Sequence, residues 1–214
     1  MPTIRELPRQ LMRYALVFLF VTHIGIADVT AQQHSDPRWI TTWATSPSTL
    51  PPTDEDYAEI EDQTLRLVIH SSVGGESARL RLANYHGDQF VHIGAVTIAV
   101  QAEGSTIQPA SLQSVRFGGA KSVSIPRGAV VLSDPVSFNL PELSNLVVSV
   151  YLPESSGFLT AHALSNQTNY ISESGDHTTD TSLPIEGESP AWNLLTAIDV
   201  IHNEQVSAIA TVGD

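Results

Sequence analysis

From Trp39 onward the chain is built of short runs in which apolar and polar residues alternate, cut at regular intervals by glycine and proline. That pattern restricts it to a fold made of strands. Gln63-Thr-Leu-Arg-Leu-Val-Ile-His70 places Leu65, Leu67 and Ile69 on one face and Arg66, Val68 and His70 on the other. Val73-Gly-Gly-Glu76 supplies a turn and Ala78-Arg-Leu-Arg-Leu-Ala83 alternates again, which predicts a hairpin. Further strand-like runs cover 90–100, 122–125, 129–132, 136–140, 146–152, 168–172 and 194–201. Gly118-Gly119, Pro126-Arg-Gly128, Asp134-Pro135, Pro153 and Gly175-Asp176 separate them, and no convincing helical period or internal repeat occurs in this region. Many short strands must bury their inner faces on one another, so the expected fold is an all-β, jelly-roll-like β-sandwich.

The 214 residues, 42% of them hydrophobic, suffice for one sizeable core. Ten Lys and Arg stand against 23 Asp and Glu, a net charge of -13. With that balance no cationic surface can dominate, and nucleic acid is excluded as the expected partner. There is no cysteine, hence no disulfide, thiolate metal site or cysteine nucleophile. At the N-terminus Arg5, Arg9 and Arg13 precede an apolar stretch from Tyr14 to Ala27, followed by the small-residue site Val29-Thr-Ala31. Residues 1–31 therefore read as a secretory signal, too short and too interrupted by His23 for a bilayer span. The mature protein is expected to be exported, to the periplasm or the exterior, and free of membrane, with the sandwich over 32–203.

The segment 204–214 differs from the strands before it. Val206-Ser-Ala-Ile-Ala-Thr-Val212 is apolar at nearly every position, as in a strand covered on both faces of a parallel α/β sheet, and Gly213-Asp214 follows it. In such sheets ligand and catalytic sites gather beyond the carboxyl ends of the strands. A last sandwich strand with a polar end fits the same spacing, and the residues alone leave both open.

Six stretches taken together narrow the choice. "TTWATSP" (41–47), "QTLRLVIHSSVGGESARLRLANYHGD" (63–88), "IGAVTIAV" (93–100), "FGGAKSVSIPRGAVVLSDPV" (117–136), "LVVSVYLP" (146–153) and "GDHT" (175–178) resemble, in order, the N-terminal region of secreted bacterial GDSL esterases of the SGNH hydrolase superfamily. In that family the β-rich region precedes an α/β/α hydrolase domain whose first strand ends in Gly-Asp-Ser, the serine being the nucleophile. The resemblance implies that Gly213 and Asp214 begin that block and that the serine is the next residue of the parent protein. The oxyanion-hole glycine and asparagine and the late Asp-x-x-His pair belong further downstream. No catalytic set is complete in this chain, which is expected to be silent by itself. The implied parent is a serine ester hydrolase acting without metal or cofactor on an ester substrate, with an acylated carbohydrate as one candidate.

Independent candidates within the sandwich are few. Gly75-Glu-Ser-Ala-Arg79 has arginine where a nucleophile elbow needs its second glycine, and reads as a hairpin turn. His86 and His92 flank a turn without a clustered carboxylate, and no metal site is expected. The acidic run Asp54 to Asp62 lacks the glycine of a calcium loop and reads as a solvated loop or short helix. Trp39, Trp43 and Trp192 fit a sugar-stacking platform or, more simply, the core or a domain interface. Asn166-Gln-Thr168 matches a glycosylation acceptor. The architecture that the resemblance implies would have loops such as Asn84-Tyr-His-Gly87 face the catalytic domain, or the sandwich simply cap it. A competing expectation from another class is a stand-alone secreted carbohydrate-binding jelly roll. The apolar run after Val206 favours the hydrolase reading, because a lone sandwich offers it no partner.

Overall fold

The computed structural model describes residues 38–47, 59–204, 206–209 and 211. The signal segment 1–31, the acidic residues 54–58 and the Gly213-Asp214 pair lie outside the described residues.

The strands in chain order are β1 (Trp39–Ala44), β2 (Gln63–His70), β3 (Gly75–Ala83), β4 (Val91–Ile93), β5 (Ala95–Glu103), β6 (Thr106–Ile107), β7 (Gln113–Val115) and β8 (Val123–Ile125). They continue with β9 (Val130–Leu132), β10 (Val136–Leu140), β11 (Asn145–Leu152), β12 (Ala161–His162), β13 (Asn169–Ser174), β14 (Ile185–Ser189), β15 (Trp192–Asn193) and β16 (Leu195–Ile201). A single 3-10 turn, Pro109–Ser111, is the only helical element among the described residues. A first sheet runs β1-β16-β3-β10, with β9 also on β3; a second runs β14-β13-β2-β11-β5-β6, with β7 also on β5; β12-β15 and β4-β8 form two small two-stranded sheets. All the strand pairs are antiparallel.

One core lies between the two sheets. Leu80, Leu82, Ile198 and Val200 enter it from the first sheet and Leu65, Leu67, Ile69, Ile98, Val148 and Val150 from the second. The period of two puts these residues on one face of each strand, and burying each contributes about 1.5–3 kcal/mol. The all-β sandwich expected from the sequence is the fold observed. The second sheet is also covered on its outer face, where Val68, Ala99, Val147 and Ile107 form a smaller cluster with Leu112 and Tyr170. This double burial explains why β5 and β11 are apolar at most positions and why β2 is buried along most of its length, Arg66 included, without the parallel packing that such runs often signal.

The predicted hairpin between β2 and β3 is not formed. β2 pairs with β11 and β13, whereas β3 pairs with β16, β10 and β9, so the chain crosses from one sheet to the other between them. The crossing is fixed by Ser71, whose hydroxyl donates to the Ser144 carbonyl at 2.9 Å, and by Thr42, whose hydroxyl donates to Val73 O at 2.6 Å. Gly74 and Gly75 are needed there because a Cβ would stand 2.7 Å from Leu140 O and 2.5 Å from Ile201 O. The Gly75-to-Arg79 stretch, expected as a turn, is consequently the first half of β3. The expected 90–100 strand is broken at Gly94, where a Cβ would meet the Tyr151 ring at 2.8 Å.

The expected strand over 204–214 is also absent from the described part of that segment. Residues 206–209 and 211 pair with no strand, and Val206 and Ile209 are 37% and 92% exposed. An apolar run becomes a strand only where a neighbour satisfies its backbone, and β16 ends at Ile201 without offering one. No helix among the described residues is long and apolar enough to cross a membrane.

Candidate functional site

At one end of the sandwich two loops are fastened together and carry exposed aromatic rings. The loop after β3 is organised by Asn84, which is fully buried. Its amide Nδ2 donates to Gln89 O at 2.8 Å and Ile125 O at 3.0 Å, closing the loop on itself and on β8. Its Oδ1 has no hydrogen-bond partner and faces Gly87, where a Cβ would stand 1.8 Å away. Three bonds then tie this loop to residues 155–160: His86 N donates to Thr160 Oγ1 at 2.8 Å, Gln89 Nε2 to Ser155 O at 2.8 Å, and Phe158 N to Asp88 Oδ1 at 2.9 Å. On this frame Tyr85, Phe90 and Phe158 are 45%, 66% and 51% exposed. Exposed rings such as Tyr85 and Phe90 on a fixed backbone are suited to receive an apolar face, whether of a sugar ring or of another protein surface.

Sequence reasoning named the 84–87 part of this site and missed Phe90 and Phe158. Phe90 looks like the first residue of a strand, and Phe158 stands alone after Gly157. The available signal was a phenylalanine set among Gly, Ser, Pro and Gln residues, where no apolar period can bury it.

No serine in the described residues is built into a relay. His92 Nδ1 lies 2.8 Å from Ser124 Oγ on an exposed surface, with no carboxylate contact to orient the ring. His177 Nδ1 does contact a carboxylate, Asp180 Oδ2 at 2.8 Å, but its other nitrogen faces the Ser174 carbonyl, and the Ser174 hydroxyl donates to Asp62 instead. Nucleophile, base and orienting acid must be linked in series for acyl transfer, and here each pair lacks the third member. Ser77, in the elbow-like stretch, donates to Val136 O within the sheet.

The Asp62 and His177 groups belong to a clasp over the outer face of the second sheet. Arg66, on β2, is fully buried beneath it and donates to Ser149 Oγ, Ser105 O, His177 O and Asp180 O at 2.7–3.1 Å. Thr64 Oγ1 accepts from His177 N, Thr97 Oγ1 donates to Thr178 O, and Asp176 accepts from Thr178 N and Oγ1. The hydrogen bond to Asp180 holds the His177 imidazole above its ordinary 6.5, although burial opposes it. The Ser174 and then the Tyr151 hydroxyl hold Asp62 below 3.8, while the same bond pushes the Tyr151 phenol up to about 12. The raised histidine stabilises the clasp fully below pH 6.5 and ceases to as pH rises through its folded value; the lowered aspartate stabilises it above pH 3.8 and ceases to as pH falls through its own. Amide exchange protection over residues 175–180 should therefore be greatest between pH 3.8 and 6.5. His177→Gln should abolish the decline above that window and move the acid limb only slightly, since the His177 charge is the smallest of the influences that lower Asp62.

The remaining candidates are structural or solvated. Trp43 and Trp192 pack edge to face at 4.9 Å against the main core, and Trp39 lies under the Arg79 guanidinium at 4.3 Å. Of the acidic run, the described part is a loop whose Glu59 and Glu61 are exposed, anchored by the buried Ile60, by the Ser155 hydroxyl donating to Glu59 and by Asp62 in the clasp. No group of three metal-ligating side chains occurs among the described residues, His86 and His92 included. Asn166 of the glycosylation motif is exposed in a left-handed turn, φ 51°.

No protein-family model matches the chain, and no curated protein does. Among solved structures it is similar to one described as the cysteine protease and lectin-like domains of Cwp84, a surface layer associated protein of Clostridium difficile, at 15% identity and a TM-score of 0.33. The match covers 66% of this chain, which spans about a third (33%) of that one. A likeness of that size carries no functional argument.

Proposed function

We propose that this chain is the exported, non-catalytic sandwich that precedes the catalytic domain of a GDSL-type serine ester hydrolase. What carries the reading is where the six resembling stretches fall. They fall on β1, β2, β3, β5, β8, β9, β11 and the Gly175-to-Thr178 part of the clasp, so that strands of both sheets are included. Reading the coding DNA past the Asp214 codon tests it: a serine codon followed by a long frame with a late Asp-x-x-His is expected, and a stop codon would overturn it. The purified 214-residue protein should neither hydrolyse p-nitrophenyl acetate above background nor react with a fluorophosphonate probe.

A second reading, a self-sufficient carbohydrate-binding module, is favoured by the exposed Tyr85 and Phe90 rings on a loop tied to residues 155–160. It expects retention of the protein on xylan or another insoluble polysaccharide, lost in Phe90→Ala with the melting temperature unchanged. Passage through every polysaccharide tested would remove this reading.

A further inference from the structure

The acidic surplus of the chain is not spread evenly. Between Asp88 and Asp134 the sequence contains one acidic residue, Glu103, against Arg116, Lys121 and Arg127, although the whole chain carries a net charge of -13. The fold gathers these three cations around the small β4-β8 sheet. Lys121 stands before β8 and Arg127 beyond its other end, while Arg116 follows β7 and lies across a tight loop from Lys121, where Phe117 and Ala120 bridge. Glu103 ends β5, about 25 Å along the strand from its start next to β4. All three cations are exposed, and the ion pairs of the described residues involve Arg79, Arg81 and His177 instead. Backbone carbonyls position two of them: Arg127 Nε donates to Gly87 O and Arg116 Nη1 to Gly119 O, each at 3.2 Å. The flanking carboxylates are turned to backbone N-H groups, Asp134 to Gly118 N and Gly119 N at 2.9 and 2.7 Å, and Asp88 to Phe158 N at 2.9 Å.

The same small sheet carries a ring. Val91, Ile93 and Ile125 are buried in the core, so His92 and Ser124, cross-strand partners 2.8 Å apart, face outward. Phe90, two residues before His92, is 66% exposed. Asn84 fastens this ribbon to the Tyr85 loop through Ile125 O.

We infer that the outer face of the β4-β8 ribbon binds an acidic polysaccharide, with Phe90 against the apolar face of a sugar ring and Arg127, Lys121 and Arg116 facing the carboxylates of uronic acid units. The inference rests on the carbohydrate-binding reading and gives it a substrate class. A neutral glycan uses the ring but gains nothing from a cluster of cations, whereas a guanidinium matches a carboxylate with two parallel N-H donors. The net charge of the chain does not oppose such binding. At physiological ionic strength the screening length is about 8 Å, so a polymer on the ribbon meets the ribbon's charges rather than those of the far side.

Titration calorimetry of the purified protein with polygalacturonate, and with the same polymer after its carboxyl groups are reduced to alcohols, tests the inference. The acid polymer should bind about tenfold more tightly at low salt. That advantage should vanish at about 1 M salt, where the screening length is about 3 Å. Lys121→Gln and Arg127→Gln should each weaken binding of the acid polymer about threefold and leave that of the reduced polymer unchanged. Phe90→Ala should weaken both. Lys121 is exposed and outside any strand, so its variant removes the charge without disturbing the fold. Equal affinity for the two polymers overturns the inference and leaves the carbohydrate-binding reading standing. Binding of neither overturns the inference, and that reading then depends on the other polysaccharides. Retention on phosphatidylglycerol vesicles as strong as on the acid polymer assigns the cations to a lipid surface and overturns the inference as well.

Discussion

Arg66→Ala is expected to lower folding stability by about 3–5 kcal/mol, the range for removing one member of a buried charged network. The guanidinium is fully buried, and burial pushes it down to about 10, which still leaves it charged at neutral pH. That charge is tolerable because its donors are matched by Ser149 Oγ and by three backbone carbonyls, with the Asp180 carboxylate adding attraction. Alanine removes the donors but leaves the carbonyls of Ser105, His177 and Asp180 beneath the clasp, where each unsatisfied acceptor costs about 1–3 kcal/mol. Arg66→Met separates the two contributions. It restores bulk but no donor, so it should recover only the packing part of the loss. Arg66→Lys should also fail, since one ammonium cannot span acceptors held by the planar fork. Urea midpoints at unchanged slope measure these differences. A loss below about 1 kcal/mol in Arg66→Ala would mean that the clasp opens at little cost and satisfies its carbonyls with water.

Arg66 also marks where the sequence stops being legible. The period of two in Gln63-to-His70 is plain, and so is the all-β class, because alternation and Gly/Pro punctuation are local signals. Alternation nevertheless says only that two faces differ in composition. It does not say that the face carrying Arg66 and Val68 is itself buried, which depends on a clasp more than a hundred residues later. The hairpin failed for the same reason: Val73-Gly-Gly-Glu76 has turn chemistry, but whether a turn returns its strand to the same sheet is decided by partners such as Thr42 and Ser144, distant in sequence. The candidate site was half legible. Asn84-Tyr-His-Gly87 reads as a loop, yet its fixation by Thr160, Ser155 and Asp88 is tertiary. Trp43 and Trp192 pack against the core, since a large ring in a strand-rich chain has more to gain there than from water, whereas Trp39 lies under the Arg79 guanidinium.

Trp192→Ala is the second large effect, a loss of about 3 kcal/mol, at the low end for such truncations because the residue is only partly buried. Three contacts go with the indole: the edge-to-face packing on Trp43, the bond from Nε1 to Val68 O at 2.8 Å, and the stack with His162 at 5.8 Å. The Val68 bond matters beyond its own strength, because Val68 lies in β2, the strand that also carries Arg66, while β15 pairs with β12 next to the tied loops. Trp192 therefore links the second sheet to the ring-bearing end. For a domain of this size the loss corresponds to about 6–12 °C in melting temperature. Phe90→Ala, at a ring 66% exposed, should change stability by no more than about 0.5 kcal/mol. The pair of variants separates two roles that an aromatic residue can have in a sandwich. If Trp192 were instead a binding ring, its removal would leave the melting temperature where it was and abolish retention on polysaccharide, and the assignment of Trp192 to packing and of Phe90 to the surface would have to be exchanged.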